Sequence, residues 1–159
     1  MLSGQQILIT GANSGIGRSI CKTLLKNNAK LILFYHKNRD AIDELQTKYQ
    51  SLIQSHQVDL LNTSQVESVM LDILKTKSID CFIHCVSLPL KVKNFTNLTW
   101  DDIESHIEIQ TRSFFQIVKN LVPLMKTRKH GKIISILTSA VINKPPTNML
   151  DYIVGKYSL

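Results

Sequence analysis

The chain has 159 residues, of which 43% are hydrophobic, so it can bury one domain-sized core and is not a disordered polypeptide. Six glycines and four prolines exclude collagen-like and low-complexity classes. The formal charge is +7, and its excess lies in the second half: nine Lys/Arg against seven Asp/Glu over residues 1–80, ten against five over 81–159. That excess suits phosphate-bearing ligands or nucleic acid.

The longest apolar runs, Leu31–Tyr35 and Ile133–Leu137, fall far short of the roughly 20 residues a membrane-spanning helix needs. The stretch Met1-Leu2-Ser3-Gly4-Gln5-Gln6 has neither a basic start nor an apolar segment, so no secretory leader is expected. Cys21, Cys81 and Cys85 make no disulfide framework and read as reduced core residues of a cytoplasmic protein. His36, His56, His84, His106 and His130 show no metal-ligand spacing, and no metal is assigned.

Along the chain, Gln6–Thr10 is a first strand. Ile16, Ile20, Cys21, Leu24 and Leu25 then recur at helical spacing up to Asn27-Asn28. Lys30–Tyr35 is an almost continuous apolar run, the pattern of a buried parallel strand. A helix is predicted over Asp40–Tyr49 and a strand over Leu52–Val58. A third helix begins near Thr63 or Ser64, where Ser64 and Glu67 fit a capping box. Ile79–His84 is a fourth strand. A long helical region follows from Thr99 to about Thr127, with Pro123 as a kink or boundary, and Trp100, Phe114 and Phe115 read as packing residues. Lys132–Leu137 is a fifth strand, and a last helix starts near Leu150. Alternating strands and helices predict an α/β domain with a parallel sheet covered on both faces, and no linker divides residues 1–159.

Three constellations carry chemistry. Thr10-Gly11-Ala12-Asn13-Ser14-Gly15-Ile16-Gly17 joins a strand to a helix. Glycines there permit a tight turn and close backbone approach, and the helix N-terminus offers free amides to a pyrophosphate. After the second strand comes Lys37-Asn38-Arg39 rather than a carboxylate. Lys37 and Arg39 suit a 2′-phosphate, which predicts NADP with NAD as the alternative. Asp59-Leu60 closes the third strand, where Asp59 either accepts from an adenine amino group, with the Leu60 amide donating to the ring, or caps the next turn. Third, Tyr152 and Lys156 stand one helical turn apart on one face, with Ser139 thirteen residues before the tyrosine. An ammonium beside a phenol favours proton exchange with a carbonyl or alcohol oxygen, and a serine hydroxyl can donate to that same oxygen.

Taken together these segments resemble the short-chain dehydrogenase/reductase family, over the whole chain and in family order. Leu137-Thr138-Ser139-Ala140-Val141 is similar to the ketoreductase-type members, including reductases of carrier-bound 3-oxoacyl groups. The resemblance implies a Rossmann-type doubly wound sheet of order 3-2-1-4-5. It implies Tyr152 as general acid and Lys156 as ribose-binding partner of that tyrosine. Ser139 would orient a small-molecule or carrier-bound carbonyl substrate.

The sequence departs from the family in three places. His84-Cys85-Val86-Ser87 replaces the usual Asn-Asn-Ala-Gly and puts Cys85 on the cofactor wall. Gln110 stands where a relay asparagine is usual. The family chain continues well past Leu159, so the last strands and the substrate-covering segment are expected to be missing. The family's homo-oligomer, through the Thr99–Thr127 region and the Tyr152 helix, is expected to be weakened. An inactive fragment or a nucleotide-binding protein without turnover is therefore the alternative function. The basic run Arg112, Lys119, Lys126, Arg128, Lys129 and Lys132 carries no reading motif, and a solvated face rather than nucleic-acid binding is expected.

Overall fold

In a computed structural model, which describes residues 2–142 and 144–159, five parallel strands form one sheet. Met1, part of the N-terminal stretch read for a leader, lies outside them. The strands are β1 (Gln6–Thr10), β2 (Lys30–Tyr35), β3 (Ile53–Gln57), β4 (Cys81–His84) and β5 (Lys132–Ser135). Their order is β3-β2-β1-β4-β5, as the resemblance implies. The helices are α1 (Gly15–Lys26), α2 (Asp40–Tyr49), α3 (Thr63–Thr76), α4 (Trp100–Ile107), α5 (Ser113–Arg128) and α6 (Leu150–Ser158).

Strand alternation divides the core between two faces. Ile7 and Ile9 pack with Cys21, Leu25, Ile42 and Leu45 beneath α1 and α2. Leu8, between them, points the other way, with Phe82, Met70, Ile117 and Leu121 under α3 and α5. Burial on both sides is why β1, β2 and β4 read as continuous apolar runs. All three cysteines are buried and free. Ile133 and Ile134 of the edge strand β5 remain partly exposed on opposite faces.

Several expectations are corrected. Strands β3, β4 and β5 are shorter than predicted. Ile79 precedes β4, and Leu52 lies in a 3-10 turn, although the Ile136 amide still bonds the His84 carbonyl at 2.9 Å. Asn62, not Ser64, caps α3: its Oδ1 accepts from the Gln65 amide at 3.1 Å, and the Ser64 hydroxyl donates to the same oxygen. An asparagine oxygen one residue outside the first helical turn competes fully with serine for the free amides.

The long helical region is three pieces, α4, a π-turn over Glu108–Arg112, and α5. Pro123 breaks nothing, since it sits inside α5 with Lys119, whose carbonyl it leaves without an amide, on an exposed side where water can serve. Trp100 and Phe115 are 67% and 63% exposed rather than packed, while Phe114 stacks on Phe82 at 5.9 Å. Thr99 and Asp102 form a reciprocal capping box on α4. A hydrogen bond from Lys93 Nζ, first, and bonds from Thr99 hold the Asp102 carboxyl well below the usual carboxylate range. Among the described residues no helix is long and apolar enough to cross a membrane.

Candidate active site

A cleft of about 390 Å³ opens at the C-terminal ends of β1 and β2, with β4 on its other side. There β1 sends its chain to one side and β4 to the other, the crevice in which doubly wound sheets bind ligands. Gly11, Asn13, Ser14, Lys37, Asp59, Leu60 and Cys85 line it, together with Val86, Ser87 and Ile109.

The glycine loop is shaped by three different demands. Gly11 has φ +73°, and a Cβ on it would lie 2.5 Å from the Cys85 carbonyl oxygen. A Cβ on Gly17 would lie 2.1 Å from the Gly11 oxygen, so α1 packs directly on the turn. Gly15 has nothing within 4 Å of that position. It leaves an open cradle at the N-terminus of α1, where Ser14 caps the helix by accepting from the Gly17 amide at 2.9 Å. Ile16 points outward, 59% exposed. The Asn13 amide nitrogen donates to the Asn38 carbonyl and ties the loop to the end of β2, while its Oδ1 is buried without a partner. An open cradle at amides, an orphaned acceptor beside it and a lysine on the rim fit the pyrophosphate and ribose of a dinucleotide.

The two basic residues after β2 part company. Lys37 lines the cleft. Arg39 does not: its Nε donates to Asp43 at 2.7 Å, its Nη2 to Gln46 at 2.6 Å, and its guanidinium lies over the Tyr35 ring. Asp59 lines the cleft and also closes a turn, accepting from the Leu61 amide at 3.0 Å. The Cys85 thiol sits 3.8 Å from the Ser14 hydroxyl.

The residues read as catalytic are not among those that line the cleft. Tyr152 and Lys156 are a turn apart on α6. Lys156 is buried, and its Nζ donates to the Ile136 carbonyl at 2.9 Å. Burial lowers its pKa from the ordinary lysine value, offset in part by the Cys85 thiol. Ser139 begins a short turn against α6 and is exposed, and the neighbouring Thr138 hydroxyl is occupied in capping that turn. Gln110 is fully buried within the π-turn, below Gly155 of α6.

Two histidines whose place in the site the sequence reading missed belong here. His84 Nδ1 meets the Thr10 hydroxyl at 2.9 Å, and its Nε2 meets the Gln110 carbonyl at 2.9 Å. A carbonyl only accepts, so Nε2 carries the proton and Thr10 donates to Nδ1. Burial, first, lowers the His84 pKa to about 4, so the ring is neutral. His106 Nδ1 takes the Gln110 amide at 3.2 Å, its Nε2 faces Asp151 at 3.5 Å, and its ring stands edge-on to Tyr152. The available signal was the four-residue spacing of His106 and Gln110 on one helix face, and the adjacency of Asp151 to Tyr152.

Fold and cleft together define a dinucleotide-binding α/β domain. A family model described as short chain dehydrogenase matches residues 5–158, and the chain belongs to that family. It is 26% identical to the uncharacterized oxidoreductase YvrD of Bacillus subtilis, over 99% of this chain and 60% of that protein. It is 28% identical to the 3-oxoacyl-(acyl-carrier-protein) reductase FabG of Buchnera aphidicola, over 85% of this chain and 55% of that one. The crystal structure of L-sorbose reductase from Gluconobacter frateurii, complexed with NADPH and L-sorbose, superposes with a TM-score of 0.88 at 22% identity, over 99% of this chain and 61% of that one. The chain thus spans little more than half the length of the curated relatives it matches.

Proposed function

We propose that this chain is the cofactor-binding part, with the catalytic helix, of an NADP(H)-dependent oxidoreductase that reduces a ketone or 3-oxoacyl carbonyl to a secondary alcohol. The observation that carries the reading is the open space over Gly15 at the start of α1, directly after Gly11, Asn13 and Ser14 of the cleft lining, with Lys37 lining the same cleft. Bound nicotinamide supplies the hydride. Tyr152 Oη gives the proton to the carbonyl oxygen, Ser139 Oγ donates a hydrogen bond to it, and Lys156 holds ribose hydroxyls. Gln110 takes the relay position beneath α6, with its amide nitrogen on His106 Nδ1 at 3.2 Å. NADP preference rests on Lys37 alone, because the Arg39 guanidinium is taken up by Asp43 and Gln46. A homo-oligomer through the α4–α5 face belongs to the same reading, supported by the exposed Trp100 and Phe115.

A nucleotide-binding protein without turnover is the second reading. It is favoured by the Lys156 ammonium resting on the Ile136 carbonyl and by the engagement of the Gln110 amide with His106.

Calorimetric titration with NADPH and NADH, followed by carbonyl-dependent oxidation of NADPH, separates the two. Micromolar NADPH binding with turnover that Tyr152→Phe abolishes is the expected result, whereas binding without turnover selects the second reading. Lys37→Ala is expected to weaken NADPH about tenfold and NADH hardly at all, as for the loss of one charge-assisted phosphate contact. Arg39→Ala should change either affinity less than about twofold. The reverse order would show that Arg39 leaves Asp43 to read the phosphate.

A further inference from the structure

A string of buried polar groups crosses the domain below the cleft, from Thr10 on β1 through His84 and Gln110 to His106 and Asp151. All five are at most 4% exposed. The π-turn makes the string continuous. Its wide bond, from the Ser113 amide back to the Glu108 carbonyl, lets the Gln110 carbonyl face His84 while the Gln110 side chain reaches back to His106. The proton inventory then runs in one direction. The Gln110 amide donates to His106 Nδ1, so a neutral His106 carries its proton on Nε2, the nitrogen that faces Asp151 Oδ2.

Asp151 is the second residue of α6, and Tyr152 is the third. This helix has no side-chain cap, so its first turn is held from outside. Asp151 Oδ1 has no partner, which leaves the His106 contact as the one polar tie of that carboxyl among the described residues. The two helices meet without slack: a Cβ on Gly155 would stand 2.9 Å from the His106 Cβ and 2.8 Å from the Gln110 amide nitrogen. The His106 ring meets the Tyr152 ring edge-on, with centroids 6.1 Å apart and planes at 85°.

We propose that His106 is a positioning residue for Tyr152, acting through Asp151 to fix the first turn of α6, with its Gln110 arm serving only to set the tautomer. The inference rests on the reading of Tyr152 as the proton donor but is tested apart from it. Glutamine at 106 can place an amide N–H where Nε2 stood and keeps the Asp151 arm. Asparagine mimics the Nδ1 side and keeps only the Gln110 arm, and phenylalanine keeps neither.

In turnover, His106→Gln is expected within about twofold of the parent. His106→Asn and His106→Phe should lose about tenfold in kcat with an unchanged KM for NADPH, since the cleft is untouched. Equal rates for the Gln and Asn variants would overturn the proposal, because a packing role does not distinguish them.

The second readout needs no activity: the ring resonances of Tyr152 in tyrosine-labelled protein, assigned by their loss in Tyr152→Phe and followed against pH. The groups facing His106 are Asp151 and Lys156 from α6, Asp102 from its own helix and Lys91 from the segment before α4. Burial lowers its pKa from the ordinary histidine value, and the two carboxyls counter that. The Tyr152 signal should therefore inflect on the acid side of ordinary histidine titration. The inflection should move further to acid in Asp151→Asn and vanish in His106→Gln. A Tyr152 signal indifferent to Asp151→Asn would refute the coupling. A parent chain that binds NADPH but reduces no carbonyl would remove the reaction, and the Tyr152 resonances would then decide the positioning role alone.

Discussion

Gly17→Ala is expected to unfold or severely destabilise the chain, while Gly15→Ala, two residues away, should fold normally and fail to hold the dinucleotide. A methyl on Gly17 would lie 2.1 Å from the Gly11 carbonyl oxygen and 3.0 Å from the Ala12 Cα. Both are backbone atoms, so relief requires moving the loop or lifting α1 off the sheet, a cost of about 3 kcal/mol or more. A methyl on Gly15 meets nothing within 4 Å. Lowering the chain entropy of the unfolded state should even stabilise that variant by about 0.5–1 kcal/mol. The same methyl occupies the cradle at the amides of α1, so NADPH affinity should fall about a hundredfold. Denaturant unfolding and calorimetry on both variants read this contrast. Undiminished binding by a folded Gly15→Ala would mean that the phosphates do not sit at the α1 N-terminus.

The glycine loop was legible because its demands are local: strand, turn and helix follow one another in sequence, and the residue types needed at each step are unusual. The apolar runs of β1, β2 and β4 were legible because burial on both faces erases alternation. The i, i+4 placement of Tyr152 and Lys156 was legible for a similar reason, since helix geometry alone fixes it. What escaped depends either on partners distant in sequence, as for His84 with Thr10 and Gln110, or on a choice between competing local partners. Arg39 is a different case: its partners Asp43 and Gln46 lie four and seven residues along the same stretch, but a guanidinium there suits a 2′-phosphate equally well, and the sequence does not rank the two. Trp100 and Phe115 read as core because their apolarity is visible in the sequence, whereas the face they occupy depends on how the π-turn rotates α5 relative to α4. The capping of α3 was misread by a single boundary position, where Asn62 and Ser64 offer the same chemistry.

His84 was visible only as a departure from Asn-Asn-Ala-Gly, and not as a bridge. It replaces one side chain of an ordinary family position with a ring that spans from Thr10 to the Gln110 carbonyl, 26 residues away. That span ties the strand before the glycine loop to the element below α6. It couples the cofactor side of the domain to the Tyr152 side through bonds that need one particular tautomer.

That tautomer makes the fold acid-sensitive in a defined window. His84 has a folded-state pKa of about 4 against 6.5 in an unconstrained chain, first because of burial, with the Lys156 charge adding to it and the Gln110 carbonyl opposing it. Between those values the unfolded chain binds a proton that the folded chain refuses, so stability rises with pH across the window. The contribution is complete above about pH 6.5, is lost as pH falls towards 4, and changes no further below that. A shift of this size corresponds to about 3 kcal/mol, a substantial part of the roughly 5–15 kcal/mol that holds a typical domain together. His84→Asn keeps a polar contact to Thr10, cannot titrate, and leaves the Gln110 carbonyl without its donor. The variant should therefore be less stable than the parent at pH 7 and overtake or equal it near pH 4. Urea unfolding of both proteins between pH 4 and 8 checks the crossing. His106 and His56 are shifted in the same direction by burial and will leave a shallower acid dependence in the variant. Parallel stability curves across the whole range would assign the acid sensitivity to those two rings and remove it from His84.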